Sequence, residues 1–157
     1  MNSRKHLRIL MVCLGNICRS PLAEGILKHK ITEHHLDCEV DSAGTGSYHV
    51  GEPPDNRSIA VARKYGIDIS PQRARQFKQT DFNHFDRIYV MDSSNYQNVI
   101  RLATRPEDRA KVDLIMNLVK PNYNQAVPDP YWNNDGFEQV YQMLDTACEV
   151  LVKELLA

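Results

Sequence analysis

Residues 7–21 read LRILMVCLGNICRSP, and this stretch decides the fold of the chain. Residues 7–12 form a short and nearly continuous apolar run, which is typical of a strand buried on both faces of a parallel sheet. A glycine and an asparagine end the run. Pro21 then stands where a first-turn proline belongs, directly after Ser20 as a candidate helix N-cap. The stretch therefore predicts a strand, a tight loop over residues 13–19 and a helix.

The rest of the chain repeats this order of strand and helix. Apolar runs predict three further strands, and apolar residues at helical spacing predict three further helices. Such alternation implies right-handed crossovers and an α/β fold, in which a parallel sheet is covered by helices on both faces. Ligands bind such sheets beyond the carboxyl ends of the strands, where the loop over residues 13–19 would lie. The further strands are placed at residues 38–42, 85–91 and 112–116, and the further helices at residues 55–66, 92–102 and 136–157.

The composition fits one soluble domain spanning residues 1–157. Hydrophobic residues are 42% and charged residues 25%, which excludes collagen-like, disordered and coiled-coil classes. Nineteen Lys and Arg against twenty Asp and Glu give a formal charge of -1. The chain therefore has no overall positive field for nucleic acid or an anionic membrane, and any anion must be bound by a local site.

The N-terminus imitates a signal peptide, because Arg4, Lys5 and Arg8 precede an apolar run. That run is only six residues long, at residues 9–14, and no small-residue cleavage site follows it. No other segment approaches the roughly 18 apolar residues of a membrane span. We therefore expect a cytoplasmic protein that binds no membrane, with its cysteines reduced.

The loop after the first strand predicts an anion site. Cys13 and Arg19 flank it, and a loop of this length can point successive backbone N–H groups inward, next to the positive end of the following helix. Arg19 offers a planar fork to two phosphate oxygens. The same field stabilises the thiolate of Cys13, which makes it a nucleophile aimed at phosphorus. The alternative, a buried inert cysteine with a solvated arginine, does not explain why Gly, Asn and Ser occupy the positions that a tight anion loop uses.

Five blocks of sequence, all in family order, resemble the low-molecular-weight protein tyrosine phosphatases. The resemblance spans residues 7 to about 156. It implies a four-stranded parallel sheet flanked by helices, and hydrolysis of phosphotyrosine through a cysteinyl-phosphate intermediate with no metal and no cofactor. The blocks lie at residues 13–21, 41–45, 81–86, 91–95 and 129–131.

Carried over to this chain, the resemblance implies three catalytic residues. Cys13 would be the nucleophile, Arg19 the ligand of the phosphate and the transition state, and Asp129 the general acid. The chemistry agrees, because a phenolate leaves more easily when it receives a proton, and two prolines stiffen the backbone around Asp129. The positions that in the family shape the loop and favour the thiolate are Asn16, Ser20 and Ser42.

The resemblance also implies an aromatic pocket. Stacked aromatic walls make a slot deep enough for phosphotyrosine, whose phosphate reaches farther from the backbone than that of phosphoserine. Trp132 stands where many relatives have tyrosine, and it either lines the pocket or covers the surface. Leu14 occupies a position that varies in the family and is expected to tune substrate preference. The other residues expected to contact the substrate are Gly15, Asn16, Ile17, Cys18, Ser20, Tyr48 and Tyr131.

Two features bear on the support and protection of the loop. Cys18 matches the second loop cysteine of the family, and the resemblance implies a disulfide with Cys13 under peroxide; the alternative is a small residue packed under the loop. Cys38 and Cys148 are expected in the core. Gln72 departs from the family, because relatives often carry there a histidine that braces the loop, so we expect the support of the loop to differ here.

A thiol-dependent arsenate reductase is the second enzyme class considered, because such enzymes share this loop and fold. Residues 70–95 hold no further cysteine, so reduction would require an external thiol. A binding module without catalysis is disfavoured by the presence of all three predicted catalytic residues. The expected partners are phosphotyrosine-containing proteins and phosphate or other oxyanion inhibitors, with no nucleic acid, no metal and a monomeric or weakly dimeric state.

Overall fold

Four parallel strands form a single sheet in the computed structural model, which describes residues 6–157. The strands are β1 (Leu7–Cys13), β2 (Cys38–Gly44), β3 (Arg87–Val90) and β4 (Val112–Leu114). Their order across the sheet is β2-β1-β3-β4, with every pair parallel. The predicted α/β fold with a four-stranded parallel sheet is confirmed. The basic residues Arg4 and Lys5, which make the N-terminus resemble a signal peptide, lie outside the described residues.

In the part of the chain that the structure describes, six helices connect and cover the strands. No helix within residues 6–157 is long and apolar enough to cross a membrane. Short 3₁₀ turns occur at Ile115–Leu118, Pro130–Trp132 and Asn134–Gly136. The helices are α1 (Arg19–Glu33), α2 (Asn56–Lys64), α3 (Asp81–His84), α4 (Ser93–Ile100), α5 (Pro106–Arg109) and α6 (Phe137–Leu156).

Alternate side chains of β1 enter two separate cores on opposite faces of the sheet. Ile9 and Met11 pack in the larger core, which α1, α2 and α6 cover. Leu10 and Val12 pack in the smaller core with α3 and α4. All four side chains are fully buried, so the prediction of a strand covered on both faces is confirmed.

For α2 and α4, the first residues of the predicted ranges, 55 and 92, are the observed N-caps. Asp55 is the N-cap of α2 and accepts a hydrogen bond from the backbone N–H of Arg57 at 2.8 Å. Asp92 caps α4 by accepting from the backbone N–H of Asn95 at 2.8 Å. Gly66 follows α2 with a φ of 80°, the left-handed conformation that favours glycine.

The predicted N-cap of α1 is wrong. The helix begins at Arg19 with Cys18 as its N-cap, so Ser20 and Pro21 lie inside the first turn. The Ser20 hydroxyl is instead directed toward the side chains of Cys13 and Asn16, and it is not available to cap the helix.

Two predicted strands are longer than the observed ones. The apolar run at residues 85–91 forms a strand only over Arg87–Val90, because the backbone N–H of Phe85 bonds to the carbonyl of Asp81 and ends α3. The run at residues 112–116 leaves the sheet after Leu114 and continues as a buried 3₁₀ turn. An apolar run indicates that its residues are buried, and a buried turn produces the same pattern as a strand.

Two smaller expectations also change. β2 runs two residues past its predicted end at Ser42 and pairs with β1 along its whole length. Cys148 is a core residue as expected, whereas Cys38 is only half-buried at the beginning of β2.

Candidate active site

The loop between β1 and α1 folds around the sulfur of Cys13. The backbone N–H groups of Asn16 and Ser20 point at Sγ from 3.3 and 3.5 Å, and the Ser20 hydroxyl lies 3.0 Å from it. Asn16 has a φ of 58°, which turns its N–H into the loop. Cys13 is only 2% exposed, so its sulfur is surrounded by these donors and by the start of α1.

The Asn16 side chain holds the loop in this shape. Its Nδ2 donates to the hydroxyls of Ser20 at 2.8 Å and Ser42 at 3.0 Å, and its Oδ1 accepts from the backbone N–H of Arg75 at 3.0 Å. Gly44 lies against the outside of the loop, where a Cβ atom would be 2.7 Å from the carbonyl oxygen of Leu14. The structure thus brings together all three residues predicted to shape the loop.

A buried carboxylate extends this network, and the sequence reasoning missed it. The Ser42 hydroxyl donates to Glu24 at 2.6 Å, and Lys28 donates to the other carboxylate oxygen at 2.5 Å. The only signal in the sequence was the spacing of four residues between Glu24 and Lys28, which predicts that the two side chains meet on one face of a helix. Gln72 makes its hydrogen bond outside this network: its Nε2 donates to the carbonyl of Pro21 at 3.1 Å.

Arg19 is the cation of the site, with a side chain only 3% exposed. Its Nη1 donates to Asp92 at 2.8 Å and to the carbonyl of Val127 at 2.9 Å. Burial lowers the pKa of Arg19, but the charges of Cys13, Asp92 and Asp129 outweigh it, so the pKa is raised overall. The guanidinium is therefore permanently charged and fixed in direction beside the sulfur.

Asp129 lies on the loop that follows β4 and faces the same guanidinium. Its Oδ2 is 3.8 Å from Nη2 of Arg19, and its Oδ1 accepts from the backbone N–H of Tyr131 at 3.1 Å. The loop is fastened to the sheet because the buried Val127 donates its backbone N–H to the carbonyl of Met91 at 2.8 Å. One carboxylate oxygen thus anchors the local turn. The other is directed toward Arg19 and the loop over residues 13–19, which together form the anion cradle of the site.

All three predicted catalytic residues line one cavity of about 390 Å³. Tyr48 and Trp132 are 76% and 85% exposed, which places them at its mouth. The predicted substrate contacts Asn16 and Ser20 lie behind the loop, where they support it and do not line the cavity. The other walls are Leu14, Gly15, Ile17, Cys18, His49 and Tyr131.

His49 is a second residue that the sequence reasoning missed. Its ring lies 6.2 Å from the ring of Tyr131, centre to centre, and its Nδ1 is 3.2 Å from a carboxylate oxygen of Glu52. Its position next to Tyr48 was the one signal that could have indicated a place in the pocket.

A clamp centred on Arg57 joins α2 to the Asp129 loop. Arg57 binds both carboxylate oxygens of Asp55, and the resulting hydrogen bonds lower the pKa of Asp55. The same guanidinium donates to the side chain of Asn134 at 2.5 Å and lies 5.6 Å from the ring centre of Tyr131. The backbone N–H of Asp55 donates to the carbonyl of Ile17 at 2.8 Å. The clamp therefore connects the loop over residues 13–19, the cysteine loop, with the loop that carries Asp129.

Cys18 is a buried thiol at the beginning of α1. Burial, assisted by the nearby charge of Asp55, raises the pKa of Cys18 to about 12. Its carbonyl accepts from the Ser58 hydroxyl at 3.3 Å, and its thiol forms no disulfide. Cys18 therefore stays protonated at neutral pH.

Comparison with known proteins identifies this arrangement. Residues 8–157 match the family described as low molecular weight phosphotyrosine protein phosphatase. The chain belongs to this family. The phosphatase of that name from Schizosaccharomyces pombe is 42% identical over 147 residues, covering 90% of this chain and 92% of the relative. The Homo sapiens phosphatase is 37% identical over 150 residues, covering 93% and 94%.

Solved structures of phosphatases share the fold. A protein tyrosine phosphatase from Entamoeba histolytica superposes with a TM-score of 0.88 at 37% identity, over 96% of this chain and 97% of that one. A Drosophila arginine phosphatase gives 0.89 at 31% identity, over 96% and 99%. The chain is thus an enzyme, a low molecular weight phosphatase and a hydrolase, and these comparisons give no support to an arsenate reductase.

Proposed function

We propose that this phosphatase hydrolyses phosphotyrosine in proteins through a cysteinyl-phosphate intermediate. The observation that carries the proposal is the meeting of Cys13, Arg19 and Asp129 around one cavity, with the aspartate 3.8 Å from the arginine. A nucleophile, a phosphate ligand and an acid within one pocket are the groups that phosphoryl transfer from an aryl ester requires.

In the first step the Cys13 thiolate attacks phosphorus. The S–P bond forms while the bond from phosphorus to the phenolic oxygen breaks, and the leaving phenolate takes the proton of the Asp129 carboxylic acid. Arg19 and the inward N–H groups of the loop bind the three equatorial oxygens, where charge concentrates in the transition state.

In the second step a water molecule attacks phosphorus on the enzyme. Asp129, now a carboxylate, takes a proton from this water as the new P–O bond forms and the S–P bond breaks. The Cys13 thiolate leaves, and the Ser20 hydroxyl, 3.0 Å from Sγ, is placed to stabilise it. Inorganic phosphate is released, and it should compete with substrate because it fits the same cradle.

Preference for phosphotyrosine follows from the depth and lining of the cavity. The sulfur is buried at its floor, while Tyr48, Tyr131 and Trp132 line its upper part. A short phosphoserine side chain would bring the peptide backbone against these walls before its phosphate reached the sulfur. An aryl phosphate spans the distance and stacks on the rings.

The test combines a variant with a substrate panel. We expect Cys13→Ser to abolish hydrolysis, whereas Asp129→Ala should slow breakdown of the intermediate so that phosphocysteine accumulates after rapid acid quench. Peptides carrying phosphotyrosine, phosphoserine, phosphothreonine and phosphoarginine should then separate, with phosphotyrosine hydrolysed fastest. Full activity of Cys13→Ser would contradict the mechanism, and faster hydrolysis of another phosphopeptide would contradict the substrate assignment.

A further inference from the structure

Exposed apolar side chains stand around the mouth of the cavity. Leu14, Tyr48 and Trp132 line the cavity and are exposed to solvent. Val50 is 58% exposed and directly follows two wall residues in the chain, Tyr48 and His49. We call Leu14, Tyr48, Val50 and Trp132 the apolar rim. Among the described residues, the other exposed large apolar side chains come from segments that do not line the cavity: Tyr65, Leu102, Tyr123 and Leu156.

The apolar rim has the character of an interaction surface, because single exposed apolar residues are common whereas clustered ones usually have a partner. A phosphotyrosine ring and its phosphate would fill the cavity down to the buried sulfur of Cys13. The residues on either side of the phosphotyrosine would then pass over the rim. Trp132 meets the ring of Tyr131 edge to face, 4.8 Å centre to centre, and is otherwise open to solvent. Most of its surface is therefore available to a flanking residue.

The cations near the mouth are already paired. Arg19 is the only lysine or arginine among the described residues that line the cavity, and its side chain is buried. Arg57 binds both carboxylate oxygens of Asp55 and the side chain of Asn134. Its guanidinium also lies 4.6 Å from the ring centre of Phe137. A carboxylate beside the phosphotyrosine would therefore meet a guanidinium that already has its partners.

Two exposed carboxylates lie close to the apolar rim in the chain. Glu52 follows Val50 by two residues, and Asp135 follows Trp132 by three. The group that faces Glu52 is the ring of His49, whose Nδ1 is 3.2 Å from the carboxylate. Like charges repel one another over about 10 Å at 0.1 M salt. Acidic residues beside the phosphotyrosine are therefore disfavoured at low salt, whereas apolar residues are not.

We propose that the apolar rim binds large apolar residues that flank phosphotyrosine, so that the phosphatase selects phosphotyrosine in apolar and not in acidic sequence. The inference rests on the proposed function and adds the class of substrate sequence to it. Trp132 and Val50 are specificity-determining residues, because Val50 does not line the cavity and Trp132 leaves most of its surface in solvent. Burial of a flanking side chain stabilises the substrate complex and the transition state alike, and so it raises kcat/KM.

The test compares three peptides of equal length that share a central phosphotyrosine. Its neighbours on both sides are leucine in the first peptide, serine in the second and aspartate in the third. Dividing each kcat/KM by that of the serine peptide cancels the contributions of the phosphate, the ring and the chemical steps, which all three share. We expect a leucine ratio of roughly 5 to 20, the gain from covering part of a leucine side chain. The aspartate ratio should lie below unity at low salt and approach unity as salt is added.

Variants assign the preference to the apolar rim. Trp132→Ser and Val50→Ser should each lower the leucine ratio about 2- to 5-fold, because each removes part of the surface that covers the leucine. Two exposed residues outside the cavity are the matched controls, Tyr123→Ser for the aromatic change and Leu102→Ser for the aliphatic one. Both controls should keep the wild-type ratio. A leucine ratio that falls as far in the controls as in the rim variants would overturn the proposal.

Failure of this inference differs from failure of the proposed function. Equal kcat/KM for the three peptides, or a preference for aspartate, would overturn the assignment of the apolar rim and leave phosphotyrosine hydrolysis intact. Hydrolysis of none of the peptides would overturn both. The other candidate occupant of the rim is a second copy of this chain. Equal ratios, together with concentration-dependent sedimentation of wild type but not of Trp132→Ser, would assign the rim to that copy and overturn the proposal.

Discussion

Three segments that are distant in sequence converge on the side chain of Arg19. Asp92 at the beginning of α4, the carbonyl of Val127 and the carboxylate of Asp129 all lie around its guanidinium. The ammonium of a lysine is a single point charge, and it could not contact these three groups and a phosphate at the same time. The planar fork is therefore a requirement of the geometry as well as of the charge.

Asp129→Ala tests acid catalysis at the level of one residue. We expect the rate on a phosphotyrosine peptide to fall about 100-fold, because the phenolate of tyrosine leaves poorly without a proton. The rate on p-nitrophenyl phosphate should fall less, since nitrophenolate leaves well unaided. The measurement is kcat/KM on both substrates, which reports the step that expels the leaving group, with Asp135→Ala, an exposed carboxylate on the same loop, as control. Equal losses on both substrates would contradict the assigned role.

The residues of the site differ in how far sequence could predict them. Cys13 and Arg19 lie at a strand-to-helix junction, which local pattern indicates without any structure. Asp129 is far away along the chain, and only the family resemblance suggested that it joins them. The sequence analysis missed Glu24. Residues 19–27 of α1 are buried on every side, so this part of the helix lacks the polar, solvent-facing stripe that would distinguish a charged residue at a buried position.

At the scale of elements, the Arg57 clamp should hold the Asp129 loop in place. In Arg57→Met the contacts to Asp55, Asn134 and Tyr131 are lost, and we expect kcat/KM on a phosphotyrosine peptide to fall roughly 3- to 10-fold, as for a misplaced general acid. p-Nitrophenyl phosphate should be affected less. Arg63→Met, exposed on the same helix, should behave as wild type. A loss that is independent of the leaving group would argue against a positioning effect.

The N-cap of α2 makes stability depend on pH. Because Arg57 lowers the pKa of Asp55 in the folded state, this carboxylate stabilises the protein above the unfolded-state value near 3.8, and the contribution is lost as pH falls through the lower folded-state pKa. Asp55→Asn keeps a good cap but removes the charge. We expect its unfolding free energy to be about 1–2 kcal/mol lower at pH 7. Urea titrations should show this gap closing below pH 4, and a gap that persists there would contradict the explanation.

Local signals predicted the elements better than their edges. Capping residues such as Asp55 and Asp92 mark a helix start chemically, so those starts were correct. Strand ends have no such marker, because the apolar run at residues 112–116 is equally compatible with a strand and with the buried 3₁₀ turn that ends it. The predicted N-cap of α1 was wrong because the Ser20 hydroxyl contacts the sulfur of Cys13 instead of capping the helix.

At the scale of the whole molecule, the strand order determines where the site lies. β1 and β3 are neighbours at the centre of the sheet, and the cysteine loop and Asp92 follow their carboxyl ends. The parallel sheet predicted this edge as the ligand-binding one. The order β2-β1-β3-β4 itself could not be read from sequence, because pairing depends on contacts between distant segments.

Phosphate binding should stabilise the whole fold, because the cradle joins β1, α1 and the loop after β4. Ligand at 100 times its Kd raises the unfolding free energy by about 2.7 kcal/mol. We expect inorganic phosphate to raise the Tm of wild type in scanning calorimetry, and Arg19→Met to remove the increase. An equal increase in Arg19→Met would place the bound phosphate outside the cradle.

The two backbone N–H groups that point at the Cys13 sulfur provide a natural spectroscopic reporter. The amide protons of Asn16 and Ser20 lie within hydrogen-bonding distance of an atom that gains or loses a full charge. Their nitrogen and proton resonances should therefore move together as the sulfur ionises, in protein that carries only isotopic labels. Ionisation of the nucleophile becomes visible in the resting enzyme, before any substrate is added.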